Sequence, residues 1–263
     1  MVHYEKYTFC IRARLFNNGQ TENILLIVDT GSPANVLSSR IYNKFENVRD
    51  SGFKFSENYI FSPAASVADV KGYSFDRLET DSFAVHNMLF QISRHKNFGC
   101  TVDGENVDGF IGMDVLRKCP FTYSVADRKL LFYNTADNTS AGAKFFFDKN
   151  AIKKNRLVTE FVLPGGKKIK GCMDTGAQET CLSRSLFTRS GRHLSYNFRA
   201  KYKFYSTYES LLDSCTFAGR TIYNIPVYRI SGNPFNSGIT IGLNILRNFD
   251  LYVNCAEGYY RRT

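Results

Sequence analysis

Tryptophan is absent from this chain of 263 residues, and proline occurs only 6 times. The missing patterns exclude more than the missing residue types do. The longest uninterrupted apolar run, Ile24 to Val28, has five residues, against the roughly 20 that a helix needs to cross a bilayer; no membrane span is expected. The N-terminus, Met1-Val2-His3-Tyr4-Glu5-Lys6, is polar and lacks the apolar centre of a secretory signal, which leads to the expectation of a cytoplasmic protein. Seven cysteines stand at 10, 100, 119, 172, 181, 215 and 255, an odd number with no Cys-x-x-Cys pair. Reduced thiols, several of them in the core, are expected in preference to a disulfide framework or a zinc site. The four histidines (His3, His86, His95, His193) form no His-Glu-x-x-His pair, and no Gly-rich phosphate loop runs into Lys-Ser/Thr. Neither a metal nor a cofactor is expected.

What the chain does contain is typical of a folded protein: 43% hydrophobic and 22% charged residues, which argues against disorder and against a fibrous repeat. Its 34 basic and 24 acidic side chains give a formal charge of 34 − 24 = +10. A basic protein that binds nucleic acid is one alternative this charge raises. The basic residues are spread along the whole chain without a run of five or six, which fits a solvated surface better, so no nucleic acid is expected as a partner.

The chain also repeats itself. Asp29-Thr30-Gly31 recurs 145 positions later as Asp174-Thr175-Gly176, and at the same offset Leu37-Ser38 is matched by Leu182-Ser183. Ile111-Gly112-Met113-Asp114-Val115-Leu116-Arg117 is answered at an offset of 130 by Ile241-Gly242-Leu243-Asn244-Ile245-Leu246-Arg247, with four of the seven positions identical. The same motifs in the same order point to a duplicated unit.

Each triplet follows a hairpin. In the first half, Tyr7 to Phe16 is rich in β-formers, Asn17 to Gln20 reads as a turn, and Ile24 to Val28 is a short apolar strand ending at the Asp. Such a strand is expected to be buried on both faces. The second half copies this with Leu157 to Leu163, the turn Pro164-Gly165-Gly166, and Lys168 to Met173. Long helices are hard to find; the best helical pattern is Met113 to Lys118 with its partner Leu243 to Arg247. The polar stretch Asn134 to Gly142 reads as a linker, so two all-β lobes are expected, 1–138 and 139–263.

Two lobes related by a pseudo-two-fold axis can bring Asp29 and Asp174 together. Carboxylates about 3 Å apart cannot both ionise, so they share one proton and titrate as a pair. One can then take a proton from a bound water that attacks an amide carbonyl, while its protonated partner stabilises the oxyanion and protonates the leaving nitrogen.

Asp-Thr-Gly-Ser/Ala after an apolar strand, followed by the Ile-Gly-Met/Leu-Asp/Asn-Val/Ile-Leu-Arg segment, resembles the aspartic peptidases of the pepsin and retropepsin type. Each half resembles a retropepsin subunit. The resemblance implies an all-β, bilobal pepsin-like fold, and an aspartic endopeptidase that acts as a monomer on an extended peptide or protein substrate, with Asp29 and Asp174 as the catalytic pair. Thr30 and Thr175 would bond beneath them, Gly31 and Gly176 would leave room for backbone near the water, and Gly112 and Gly242 would sit where a second loop passes through the first. Ser32 and Ala177 break the symmetry: a Ser32 hydroxyl donating to Asp29 would favour its charged form, leaving Asp174 to hold the shared proton more often. The family's flap would fall near Phe61, Pro63, Ala64, Ala65 and Ser66, and its second-half counterpart within Arg199 to Ser210. Neither carries the usual glycine, and Pro63 has no N–H to offer a substrate. The remaining alternative is a non-catalytic peptide-binding relative of the same fold.

Overall fold

The computed structural model describes residues 2–3, 9–54, 71–93, 100–124, 129–134, 143–183, 186, 194–200, 203–230 and 239–262. The chain divides into two compact units, Met1–Leu116 and Arg117–Thr263. The first contains the strands β1 (Val2–His3), β2 (Cys10–Asn17), β3 (Gln20–Val28), β4 (Val36–Ser38), β5 (Arg49–Lys54), β6 (Lys71–Glu79), β7 (Ala84–Ser93), β8 (Cys100–Val102), β9 (Glu105–Asn106) and β10 (Gly109–Ile111). The second contains β11 (Phe121–Ser124), β12 (Lys129–Phe132), β13 (Lys144–Phe146), β14 (Val158–Val162), β15 (Lys168–Met173), β16 (Thr180–Cys181), β17 (Leu194–Ala200), β18 (Lys203–Phe217), β19 (Arg220–Ile230), β20 (Ile239–Ile241), β21 (Asp250–Asn254) and β22 (Tyr259–Arg262).

The protein is all-β, with two barrel-like lobes of six strands each. In the first unit the order is β2-β3-β10-β4-β7-β6-β5, and a β2–β6 pairing closes the ring. The second unit repeats it as β14-β15-β20-β16-β19-β18-β17, closed by β14–β18. Strand senses repeat as well: β10 runs parallel to β3 and antiparallel to β4, as β20 does to β15 and β16. Closure removes most of the open edge that would otherwise invite pairing with another chain.

The sequence explains why these segments pair. On β2, Ala13 and Leu15 point inward while Arg12 and Arg14 face solvent, the period of two expected of a strand with one wet face. Ile24 to Val28 on β3 is buried throughout, and Ile27 packs in a cluster with Val36, Val107 and Phe110. Asn18-Gly19 (φ 47° and 78°) joins β2 to β3, and Asp103-Gly104 (φ 51° and 83°) joins β8 to β9. Positive φ at both central residues gives the two-residue turn whose twist matches the flanking strands. In the second unit Pro164-Gly165-Gly166 forms a short 3₁₀ turn, closed where the Leu163 N–H donates to the Lys167 carbonyl.

Aromatic side chains fill much of the interior. Phe75 packs edge-on against Phe45 and Phe90, with centroids 5.3 and 5.6 Å away. In the second unit Tyr260 stacks on Phe217 at 5.6 Å, and Phe217 meets Phe249 edge-on at 5.1 Å. A further sheet, ordered β12-β11-β21-β22-β13, belongs wholly to the second unit. Its strands β11 and β12 precede residue 138, yet β11 hydrogen-bonds on one side to β12 and on the other to β21, which lies near the end of the chain. The two short helices Met113–Leu116 and Leu243–Leu246 stand where helix is expected, each slightly shorter; Ser39–Tyr42 and Lys149–Lys153 add two more turns of helix. No helix among the described residues is long and apolar enough to cross a membrane.

Nothing lies within 4 Å of where a Cβ on Gly19 would stand, so its substitution is penalised through φ alone. Gly19→Ala is expected to lower stability by about 1 kcal/mol in urea unfolding; an unchanged midpoint would contradict the left-handed turn.

Candidate functional site

Asp29 is the first residue past β3, where the apolar strand leaves the barrel interior. Its backbone N–H donates to the Ile111 carbonyl (2.9 Å), which continues the β3–β10 pairing by one residue. The chain then turns sharply. The N–H groups of Gly31 and Ser32 both donate to Oδ1 of Asp29, each at 2.9 Å, and the Ser32 N–H also lies 3.2 Å from the Asp29 carbonyl. A short carboxylate that accepts from the backbone two and three residues on is what holds such a turn.

Asp174 repeats the arrangement at the end of β15. Its N–H donates to the Ile241 carbonyl at 3.0 Å, and its Oδ1 accepts from Gly176 N–H at 2.9 Å and Ala177 N–H at 3.0 Å. Behind the turns the match continues, with Met113 N–H donating to the Ser32 carbonyl (2.9 Å) and Leu243 N–H to the Ala177 carbonyl (2.8 Å). Thr30 and Thr175 are buried, while both aspartates and the residues at Gly31, Ser32, Gly176 and Ala177 are partly exposed. Thus Asp29, Thr30, Gly31 and Ser32 share one turn of the first unit, and Asp174, Thr175, Gly176 and Ala177 share its counterpart in the second.

One expectation is corrected. The Ser32 hydroxyl donates to the Ala34 carbonyl at 2.6 Å, because the loop folds back over it. It is the Ser32 N–H that reaches Asp29, a bond that Ala177 makes equally well. The proposed asymmetry between the carboxylates therefore has no support from that hydroxyl.

The glycines of the second motif occupy the tightest positions. A Cβ on Gly112 would stand 2.4 Å from the Ala34 carbonyl oxygen and 2.6 Å from that of Ser32. On Gly242 it would meet the Glu179 carbonyl carbon at 2.4 Å and its oxygen at 2.5 Å. Each glycine thus passes directly against the loop that follows an Asp-Thr-Gly turn, and the obstructing atoms are backbone.

Sequence reading missed the residues that lock this crossing. Asn35 accepts from Gly112 N–H at Oδ1 (2.8 Å) and donates from Nδ2 to the Leu89 carbonyl (3.0 Å). In the second unit Gly242 N–H donates to the hydroxyl of Thr180 (3.1 Å), which in turn donates to Oδ1 of Asn244 (2.8 Å). Asn244 then donates to the Pro226 carbonyl at 2.7 Å. Asn35 and Thr180 are 145 positions apart, so the repeat offset was the available signal. An amide and a hydroxyl are too unlike to be paired by eye.

Cys181 lies near the second turn. Burial pushes its thiol up to about 12, with the Asp174 and Glu179 carboxylates adding to the rise. It stays protonated at neutral pH and is a poor nucleophile. A cleft of about 760 Å³ in the first unit is lined by Arg12, Arg14, Arg40, Glu79, Glu105 and Asp108 among others, and it does not include the Asp29 turn. Its arginines are each paired with a carboxylate, Arg12 with Glu105, Arg14 with Glu79 and Arg40 with Asp108, so it reads as an ion-paired barrel surface. Among the described residues, no three His, Cys, Asp or Glu side chains converge to hold a metal ion.

The flap residues Phe61, Pro63, Ala64, Ala65 and Ser66 lie outside the described residues. Their second-half counterpart falls on the antiparallel pair β17–β18, which is in register up to Ala200 opposite Lys203. No protein-family model and no curated protein matches the chain.

Because the atoms nearest an added Cβ are backbone and cannot move aside, Gly112→Ala and Gly242→Ala are each expected to cost about 3 kcal/mol or more in chemical denaturation, well above Gly19→Ala. A loss no larger than that of Gly19→Ala at either position would contradict the crossing.

Proposed function

We propose that the protein is an aspartic endopeptidase of the pepsin and retropepsin type, with one chain supplying both carboxylates from its two lobes. The observation that carries this reading is the repeated Asp turn. Two carboxylates, each at the end of a barrel strand, are held through Oδ1 by equivalent pairs of backbone N–H groups. A surface cap would not require a second motif, 83 or 68 residues on, to be threaded against it in both units.

In the proposed reaction Asp29 and Asp174 face each other and share one proton. The ionised member accepts a proton from a water molecule, whose oxygen attacks the scissile carbonyl carbon. The protonated member donates to the carbonyl oxygen as it gains charge. Collapse of the tetrahedral intermediate breaks the C–N bond, and the nitrogen leaves with a proton from the dyad. No covalent enzyme intermediate forms. An extended main chain is the expected substrate, and no cofactor takes part.

The test is cleavage of a diverse peptide library read by mass spectrometry. Asp29→Asn and Asp174→Asn should each lower kcat/KM by at least about 10³-fold, with the circular dichroism spectrum and melting temperature of the parent. Turnover within tenfold of the parent in either variant would refute the dyad. A wild-type protein silent from acid to neutral pH would instead favour a non-catalytic peptide-binding protein.

A further inference from the structure

The positive charge of the chain is concentrated in one stretch of the second unit. Between residues 144 and 170 stand seven lysines and Arg156 against two acids, Asp148 and Glu160, so these 27 residues carry 8 − 2 = +6 of the formal +10. All seven lysines are exposed. Both acids are already engaged: Asp148 accepts from Lys170 Nζ at Oδ2 (2.5 Å) and from the Asn150 and Ala151 N–H groups at Oδ1, and Glu160 pairs with Lys168 at 3.1 Å. Lys144 lies over the Tyr259 ring, 4.2 Å from its centroid. Among the described residues Lys149, Lys153, Lys154 and Lys167 pair with no carboxylate.

The strand and helix periods gather these charges. Lys168 and Lys170 alternate onto one face of β15, and Lys144 and Phe146 onto one face of β13. Lys149 and Lys153 stand one turn apart on the helix Lys149–Lys153. Asp148 caps that helix and holds Lys170, which ties the helix to β15. A groove of about 400 Å³ brings β13 and β15 together, with Lys144, Phe146, Asp148, Glu160 and Lys170 among its lining residues. Phe146 is 66% exposed, a large apolar side chain left in water among lysines.

We propose that this basic patch docks the protein on an anionic lipid bilayer, with the lysines over the headgroups and the Phe146 ring entering the interface. Binding of this kind scales with the apolar area buried plus the attraction to anionic lipid, and each lysine near the surface adds to the attraction. Composition favours a bilayer over a nucleic acid. Seven of the eight cations are lysines, compact point charges suited to diffuse attraction, whereas the planar fork of arginine is the preferred partner of nucleic-acid phosphates. A single exposed ring also offers no series of platforms on which successive bases could stack. Attachment is peripheral, needs no spanning segment, and does not depend on the proposed peptide cleavage.

The test is sedimentation of the full-length protein with vesicles of phosphatidylcholine alone or containing about one-third phosphatidylserine. The protein is expected to sediment with the anionic vesicles and not with the neutral ones, and to be released by about 0.5 M sodium chloride, which screens the attraction. The triple variant Lys149→Gln, Lys153→Gln, Lys154→Gln should bind at least about tenfold more weakly. Phe146→Ser should also weaken binding while leaving its salt dependence in place. A control of equal charge, Lys54→Gln, Lys118→Gln, Lys129→Gln, should bind as the parent does. The proposal is overturned if anionic vesicles are not bound, if the control loses as much affinity as the patch variant, or if the patch variant loses affinity for single-stranded RNA but not for vesicles.

Discussion

The structure depends on one close backbone crossing made twice. Where β10 and β20 end, Gly112 and Gly242 press against the loop that follows each Asp turn, at separations that leave no space for a Cβ. Strand, turn and helix are consequently fixed relative to one another. The strand end supplies the carbonyl for the Asp N–H, and the residue after the glycine donates back to the turn. The glycine N–H, buried by the crossing, is satisfied by Asn35 or Thr180. An unsatisfied buried donor there would cost about 1–3 kcal/mol, which is why a polar side chain is kept at each of these interior positions.

Around that crossing the barrel is ordinary in its physics. Apolar side chains alternate inward, two-residue turns with positive φ set the register, and aromatic pairs fill the interior. Both lobes reach the same strand order and senses with few residues in common. That is the expectation for a duplicated fold whose core tolerates exchange of one apolar residue for another, while the turn and the crossing do not tolerate change. Rigidity at the turn also matters for the proposed chemistry, since a carboxylate tied through Oδ1 by two N–H groups has a defined orientation.

Much of this was legible in the sequence because it rests on local signals. Ile24 to Val28, the Asn18-Gly19 turn and the two Asp-Thr-Gly triplets each announce themselves within a few residues, and the repeat offset ties the halves together. The partners of the glycine N–H groups were not legible. Asn35 and Thr180 act through contacts 77 and 62 residues away along the chain, and they do one task with different functional groups. Ser32 misled for a related reason: composition shows that a hydroxyl is present, but the path of the loop decides that it donates to Ala34. The sheet built from β11, β12, β13, β21 and β22 was equally hidden, because its strands come from both ends of the second unit and carry no shared motif.

The central claim is that Asp29 and Asp174 act as one titrating pair. Carbon-13 NMR of the aspartate side-chain carboxyls, followed across the acid range in the parent and in Asp29→Asn, tests it most directly. A coupled pair predicts that Asp174 titrates in two steps in the parent and in a single, displaced step once its partner can no longer ionise. An Asp174 curve that is the same single step in both proteins would contradict the account.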